Sequence, residues 1–206
     1  MRIFILPSWC PTKDKPLSGS FFLEQAQLIA KMRPSWKVAF CSFDLSGSRM
    51  PWRLNQMSKF IQNVKQKPRL TIKKHISGLY LYDVWLPYLP SLGKYRKWEA
   101  NAQVLAKQAH PALMHFIENF GKPDLIHARA VYPGGAAAVL LGHMHDIPVG
   151  ITEHLGPFPG KQFLQDDGIP IPLIRDTYAL AKSHSADGSK LAKQIINYGL
   201  SNKVQV

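Results

Sequence analysis

The chain has 206 residues, of which 46% are hydrophobic, and this is enough for one globular domain with a sizeable core. No apolar run reaches the roughly 18 to 20 residues of a membrane-spanning helix, and the apolar start is too short for a signal peptide. Two cysteines do not make a disulfide framework. These features exclude a membrane-spanning or disulfide-rich protein and favour a reducing, cytoplasmic setting.

The formal net charge of +13 is concentrated in one part of the chain. Residues 49–97 contain eleven Lys and Arg residues and a single acid, Asp83. A local basic surface suits an anionic partner, which would be a membrane surface, a nucleic acid or a phosphorylated substrate. A solvated surface without a partner is an equally good interpretation, because charge runs are often no more than that.

The first forty residues predict a strand, a loop, a helix and a second strand. Residues 2–8 read as a buried strand, followed by a turn-rich loop with three prolines. Ser20 is the expected N-cap of a helix that Pro34 ends, and residues 37–43 form the second strand. This order is typical of the opening of a doubly wound, mainly parallel α/β domain with right-handed crossovers.

The middle of the chain changes character. Residues 46–67 place apolar side chains on one helical stripe and basic residues largely off it, which predicts a basic amphipathic segment. Residues 70–76 and 79–86, joined at Ser77-Gly78, are then expected to form an inserted β-hairpin.

The second half returns to alternating strands and helices. Predicted helices lie at 98–120, 136–145, 171–183 and 189–198, and predicted strands at 124–131, 147–152 and 203–206. Pro111 should kink or divide the first of these helices. Regular alternation requires one more apolar strand near 185–189, but that segment is short and polar. The sequence therefore suggests a fragment, or a domain abbreviated at its end.

Three blocks of the sequence resemble the N-terminal domain of family 4 glycosyltransferases. They are PLSGSFFLEQA at 16–26, PDLIHARAVYPGG at 123–135 and IPVGITEH at 147–154, and they occur in the family's order. The resemblance covers nearly the whole chain. It implies a GT-B fold, in which two Rossmann-like domains face each other across a cleft.

The resemblance also implies a function for residues 1–206, as the acceptor-side domain of a retaining hexosyltransferase. The enzyme would move a sugar from a nucleotide-sugar to a cell-envelope glycan or lipid-linked acceptor, without a metal or other cofactor. The donor would be held mainly by a C-terminal partner domain, because no two glutamates here have the eight-residue spacing of the family's donor-binding pair. Such an enzyme would be cytoplasmic, and peripheral at the inner face of the membrane.

Candidate site residues follow the predicted strands. Gly19 and Ser20 begin a helix, where free N–H groups and the helix dipole suit the donor phosphates or sugar. His154 matches the family histidine near the transferred sugar and is the candidate catalytic residue. Glu153, Tyr132 and Gly134 are candidate acceptor-binding residues, and Glu153 could orient the histidine instead. An N-cap, a loop histidine and a packing role are the alternative interpretations.

Two further groups of basic residues lie on a predicted strand and on the amphipathic segment. His127 and Arg129 alternate with apolar neighbours on one strand, so one of them could reach the cleft, although a structural role is favoured. The amphipathic segment suits an anionic membrane, and its candidate membrane-facing residues are Arg49, Arg53, Lys59 and Lys65. A packed helix with a solvated basic face explains the same pattern.

Other classes of function find less support in the sequence. No histidine cluster has the spacing of a metal site, and the GxSxG, P-loop and complete GxGxxG motifs are absent. No nucleic-acid recognition motif accompanies the basic segment, so a nucleic-acid partner is not expected. The main alternative is a non-catalytic basic module that binds phosphorylated glycans or an anionic membrane surface.

Overall fold

The computed structural model describes residues 1–11, 15–44, 69–74, 78–85 and 96–206. These residues form one seven-stranded sheet with flanking helices. The strands are β1 (Arg2–Pro7), β2 (Lys37–Asp44), β3 (Arg69–Lys74), β4 (Tyr80–Trp85), β5 (Leu125–Arg129), β6 (Val149–Glu153) and β7 (Ser183–Ala186). The helices are α1 (Ser20–Met32), α2 (Arg96–Phe120), α3 (Ala136–His145), α4 (Pro172–Leu180) and α5 (Ser189–Asn197).

The sheet is doubly wound, as the sequence predicts. Its strand order is β3-β4-β2-β1-β5-β6-β7, and every neighbouring pair is parallel except β3 with β4. The chain therefore winds outward from β1 in both directions, the arrangement of Rossmann-like domains. Because β1, β5, β6 and β7 are mutually parallel, their carboxyl ends lie along one edge of the sheet.

The core forms where this central sheet meets the helices. Phe4, Ile5 and Leu6 of β1 are fully buried, as expected for a parallel strand covered on both faces. Helix α1 buries Phe22 and Ala26 at a spacing of four residues, so one stripe of the helix faces the sheet. Burying a large apolar side chain contributes roughly 1.5 to 3 kcal/mol, which makes these residues the main anchors of α1.

The hairpin insertion is confirmed by β3 and β4, which pair antiparallel at the sheet edge. Strand β4 also pairs in parallel with β2, where the Ser42 hydroxyl donates to the Asp83 carboxylate. The predicted basic segment at 46–67, with the four candidate membrane-facing residues, lies outside the described residues. Among the described helices, none is both long and apolar enough to cross a membrane.

The predicted gap near 185–189 is wrong, because β7 occupies residues 183–186 and pairs in parallel with β6. The sequence of β7 shows no apolar pattern because the strand is short and its polar side chains form hydrogen bonds with β6. The Ser185 hydroxyl lies 2.7 Å from that of Thr152, while Ala186 is buried on the opposite face. The expected strand at 203–206 is reduced to a single bridge between Gln205 and Ser185.

Helix α2 runs through Pro111 without dividing. Proline removes one backbone hydrogen bond and usually ends a helix. Here the buried residues on both sides, among them Ala109, Leu113 and Phe116, hold the two halves against the same core. Packing therefore overrides the local preference for a break.

Candidate functional site

The carboxyl edge of the sheet gathers charged side chains from several strands. Arg129 is the last residue of β5, Glu153 is the last residue of β6, and His154 follows it. Asp187 follows β7. Because ligands bind outside the carboxyl ends of strands in open α/β sheets, this edge is the candidate site.

Glu153 is a fully buried carboxylate that holds two loops together. Its Oε2 accepts the N–H of Val131, which follows β5, at 2.9 Å. Its Oε1 accepts the N–H groups of His154 and Leu155, each at 2.9 Å. Burial raises the pKa of Glu153, aided by the nearby Asp187 charge, while the three N–H donors oppose that rise. Glu153 thus fixes the backbone of the site, and its predicted acceptor-binding role stays a prediction.

His154 is held in one orientation by its surroundings. Its side chain is only 6% exposed, and its ring meets Phe22 and Phe21 edge to face at centroid distances of 4.9 and 5.6 Å. Nδ1 lies 3.4 Å from Asp187 Oδ2. Burial lowers the pKa of His154, as does the nearby Arg129 charge, while Asp187 raises it.

The remaining ring nitrogen, His154 Nε2, is buried and has no hydrogen-bond partner among the described residues. A neutral ring that donates its Nδ1–H to Asp187 presents Nε2 as an acceptor. Buried polar atoms are nearly always paired, so an unpaired one at a sheet edge is suited to a ligand. The geometry fits a hydroxyl group that donates to Nε2.

Arg129 lies beside the same aromatic ring, that of Phe22. Its guanidinium carbon is 6.0 Å from the Phe22 ring centroid, and the residue is 6% exposed. Within the described part of the chain, its Nε has no hydrogen-bond partner and the guanidinium forms no ion pair. Burial lowers the pKa of Arg129 to about 10, so it stays charged at neutral pH.

The start of α1 lies beside this cluster, but its cap differs from the prediction. Gly19, not Ser20, occupies the N-cap position, with a left-handed φ of 67°, and Ser20 is the first helical residue. A Cβ on Gly19 would lie 2.7 Å from the Trp9 carbonyl oxygen. Glycine is therefore required by the turn and by Trp9. The helix start reaches His154 through Phe21 and Phe22.

Tyr132 lies among other aromatic residues of the helical layer. Its hydroxyl accepts a hydrogen bond from Asn101 of α2 at 2.8 Å. Its ring packs against Trp98 and Phe163 at centroid distances of 5.3 and 5.0 Å. These contacts place Tyr132 against the helical layer, and its predicted acceptor-binding role stays a prediction.

Gly134 packs where the turn at Val131–Gly135 crosses the end of β1. Its N–H donates to Ser8 Oγ at 2.9 Å, and the Ser8 hydroxyl donates to the Ala130 carbonyl at 3.1 Å. A Cβ on Gly134 would lie 2.8 Å from the Pro7 carbonyl carbon and oxygen. Gly134 therefore permits two backbone segments to meet beneath the site.

This contact predicts a large effect of Gly134→Ala. The added methyl group would meet backbone atoms that cannot rotate away, so we expect a loss of about 1 to 3 kcal/mol in the free energy of unfolding. Gly188→Ala is the matched control, because nothing lies within 4 Å of its Cβ position. Urea denaturation of both variants checks the prediction, which fails if the two lose equal stability.

A polar row crosses three strands next to the site. His127 Nε2 lies 2.8 Å from Thr152 Oγ1, which in turn lies 2.7 Å from Ser185 Oγ. Burial lowers the pKa of His127 to about 3, and the charges of Arg129 and His154 act in the same direction. His127 is hydrogen-bonded to Thr152 within the sheet, whereas Arg129 has no ion-pair partner among the described residues. The two residues of β5 therefore have different roles.

A separate groove of about 190 Å³ lies between helices. It is mainly apolar, and its lining comes from α2, α3 and α4. The lining residues are Glu99, Ala102, Gln103, Ala136, Val139, Leu140, Leu173, Asp176, Thr177 and Leu180. It contains none of the predicted site residues.

The structure adds two residues to the candidate site. The sequence favours a structural role for Arg129, although a charged residue at the end of a buried strand is itself a signal of a site. Asp187 was missed because β7 was not predicted. Once β7 is recognised, Asp187 follows a strand in the same way as His154.

Comparisons with known proteins show the same architecture. Neither protein-family models nor curated sequences match the chain. Among solved structures, it resembles an α,α-trehalose-phosphate synthase (UDP-forming) from Burkholderia xenovorans in complex with glucose-6-phosphate, with a TM-score of 0.57 and 14% identity. That match covers 98% of this chain and 44% of the synthase. The synthase from Burkholderia vietnamiensis matches with a TM-score of 0.52 and 11% identity, over 97% of this chain and 43% of that one.

The chain has the fold of one Rossmann-like half of a GT-B protein. A UDP-GlcNAc 2-epimerase from Neisseria meningitidis, bound to UDP-GlcNAc, also aligns over 100% of this chain and 46% of its own, at 15% identity. Its TM-score of 0.49 is too low to support an inference. The chain spans less than half the length of each of these structures, and at such identities the likeness shows the fold alone.

Proposed function

We propose that this GT-B half is the acceptor-side, N-terminal domain of a retaining hexosyltransferase. The enzyme transfers a sugar from a nucleotide-sugar to a cell-envelope glycan or lipid-linked acceptor. The observation that carries the proposal is His154, a buried histidine whose Nε2 has no hydrogen-bond partner among the residues that the structure describes, held at the carboxyl edge beside the start of α1. The fold shared with trehalose-phosphate synthases supports a sugar-handling domain.

Glycosyl transfer requires the stabilisation of two developing charges, and the carboxyl edge of the sheet has groups suited to both. Positive charge develops on the sugar ring, and negative charge develops on the leaving phosphate. His154 Nε2, kept neutral by burial and by Arg129, accepts a hydrogen bond from a sugar hydroxyl and so fixes the position of the ring. The dipole of α1 and the charge of Arg129 favour the anionic group.

The remaining parts of the proposal concern the rest of the enzyme. A second Rossmann-like domain holds the nucleotide, and neither a metal nor another cofactor is needed. The protein works in the cytoplasm at the inner face of the membrane, to which the basic segment at 46–67 binds. Co-sedimentation with vesicles tests this last part, since pelleting that does not depend on anionic lipid contradicts it.

A second candidate function is favoured by Arg129. A buried cation that pairs with no carboxylate in the described part of the chain also suits a non-catalytic module that binds phosphorylated glycans. The two functions differ in turnover, because only the transferase releases a nucleoside diphosphate and forms a new glycoside.

Product analysis separates the two functions. The complete gene product is offered a panel of nucleotide-sugars together with lipid-linked and glycan acceptors, and products are identified by mass spectrometry. The transferase predicts an acceptor heavier by one hexosyl unit with one donor of the panel. Binding without any glycoside product contradicts the transferase and supports the module.

A further inference from the structure

The contacts that the described residues make with Arg129 do not explain why this charged side chain is buried. Burying an unpaired charge is costly, and buried arginines normally face carboxylates or several carbonyl oxygens. Here the described contact of the guanidinium is the face of Phe22, at 6.0 Å from the ring centroid. A buried cation without a carboxylate partner lowers the stability of the folded protein. Its presence therefore indicates a binding partner outside the described part of the chain.

The surroundings define the chemistry of that partner. Arg129 offers a charged donor, since its buried Nε–H lacks an acceptor within the described ranges. His154 offers an acceptor, since its ring is neutral and its Nε2 is equally unpaired. Both lie beside the same Phe22 ring, and the Arg129 charge lowers the pKa of His154, which places the two side chains in one cluster. Phe21, 39% exposed and next to His154, marks the side on which this cluster meets solvent.

We infer that Arg129 and His154 form one binding site for a phosphorylated sugar. Arg129 binds a phosphate oxygen, and His154 Nε2 accepts a hydrogen bond from a hydroxyl of the attached sugar. A guanidinium matches the geometry of phosphate oxygens closely, and the adjoining start of α1 adds a favourable dipole. Only the source of the phosphate rests on the proposed function, since either a phosphorylated acceptor or the diphosphate of a nucleotide-sugar supplies the same group.

Binding of small probes to the 206-residue chain tests this site without any turnover. Isothermal titration calorimetry compares glucose 6-phosphate, UDP and glucose on the unmodified chain and on Arg129→Met. Loss of a charged hydrogen bond predicts weaker binding of the phosphate probes by tenfold or more. Tighter binding of glucose 6-phosphate than of UDP assigns the site to a phosphorylated acceptor, and the reverse order assigns it to the donor.

A stability measurement separates a ligand-binding arginine from a structural one. Removing a buried, unpaired charge predicts that Arg129→Met melts at a higher temperature than the unmodified chain. Arg175→Met is the matched control, because Arg175 is exposed on α4 and the change in net charge is identical. It should alter neither phosphate binding nor melting temperature. If Arg129→Met does not fold, Arg129→Lys keeps the charge and is expected to weaken binding to a smaller degree.

Two results would overturn the inference. One is a folded Arg129 variant that binds glucose 6-phosphate and UDP as tightly as the unmodified chain does. The other is an unmodified chain that binds neither phosphate probe at millimolar concentration, or binds glucose equally well. These results differ from a failure of the proposed function, which would leave phosphate binding intact while the complete protein forms no glycoside.

Discussion

Under the proposed function, replacing His154 by Ala in the complete protein is expected to lower kcat by a factor of about 100 to 1,000. The cause is the loss of the Nε2 acceptor that fixes the sugar, which weakens the transition state more than the fold. The ring also packs against Phe21 and Phe22, so a modest loss of stability accompanies the change. Steady-state kinetics and thermal melting of the same sample distinguish the two effects.

Two further variants sharpen this result. His154→Asn retains a polar side chain but moves it away from the position of Nε2, so it should also be slow. His143→Ala removes an exposed histidine of α3 and should leave kcat unchanged. Unaltered turnover of a folded His154→Ala enzyme would remove His154 from the site.

Glu153→Gln is expected to cause the largest loss of stability of any conservative change at this edge. An amide has one acceptor oxygen, so at least one of the three backbone N–H groups that the carboxylate now accepts would face an NH₂ group. Leaving a buried donor without a partner costs about 1 to 3 kcal/mol, and losing a charged acceptor adds to this cost. Urea denaturation should therefore show a loss of about 3 kcal/mol.

The matched control is Glu118→Gln, because Glu118 is exposed on α2. That variant should differ from the unmodified chain by less than about 0.5 kcal/mol. Equal stability of Glu153→Gln and Glu118→Gln would show that the carboxylate does not hold the two loops. Without the carboxylate, the loop at His154 and Leu155 would lose its attachment and His154 would move. The activity of Glu153→Gln should therefore fall together with its stability.

Much of the fold could be predicted from local patterns. Helix α1 has an apolar stripe and helix α3 is apolar nearly all round, and their observed bounds agree with the predicted ones to within two residues. The hairpin was predicted from two short strands around Ser77-Gly78. Strand β7 escaped prediction because an edge strand need bury only one face, so Ser183 and Ser185 give it no apolar alternation.

The sequence predicts where the candidate site lies, but it does not predict what each residue of the site contacts. The sequence places Glu153 and His154 after a strand, yet only the structure shows that Glu153 faces inward and serves the backbone. Tyr132 and Gly134 follow a neighbouring strand in the same way, but they pack beneath the site or beside it. Whether Arg129 has an ion-pair partner depends on contacts between distant segments, which no local pattern contains.

A structure of the complete protein with a nucleotide-sugar and an acceptor bound would test the central claim most directly. We predict a sugar hydroxyl within hydrogen-bond distance of His154 Nε2 and a phosphate oxygen on Arg129, beside the start of α1. A sugar bound instead in the groove between α2, α3 and α4, with His154 Nε2 and Arg129 free of ligand, would contradict it.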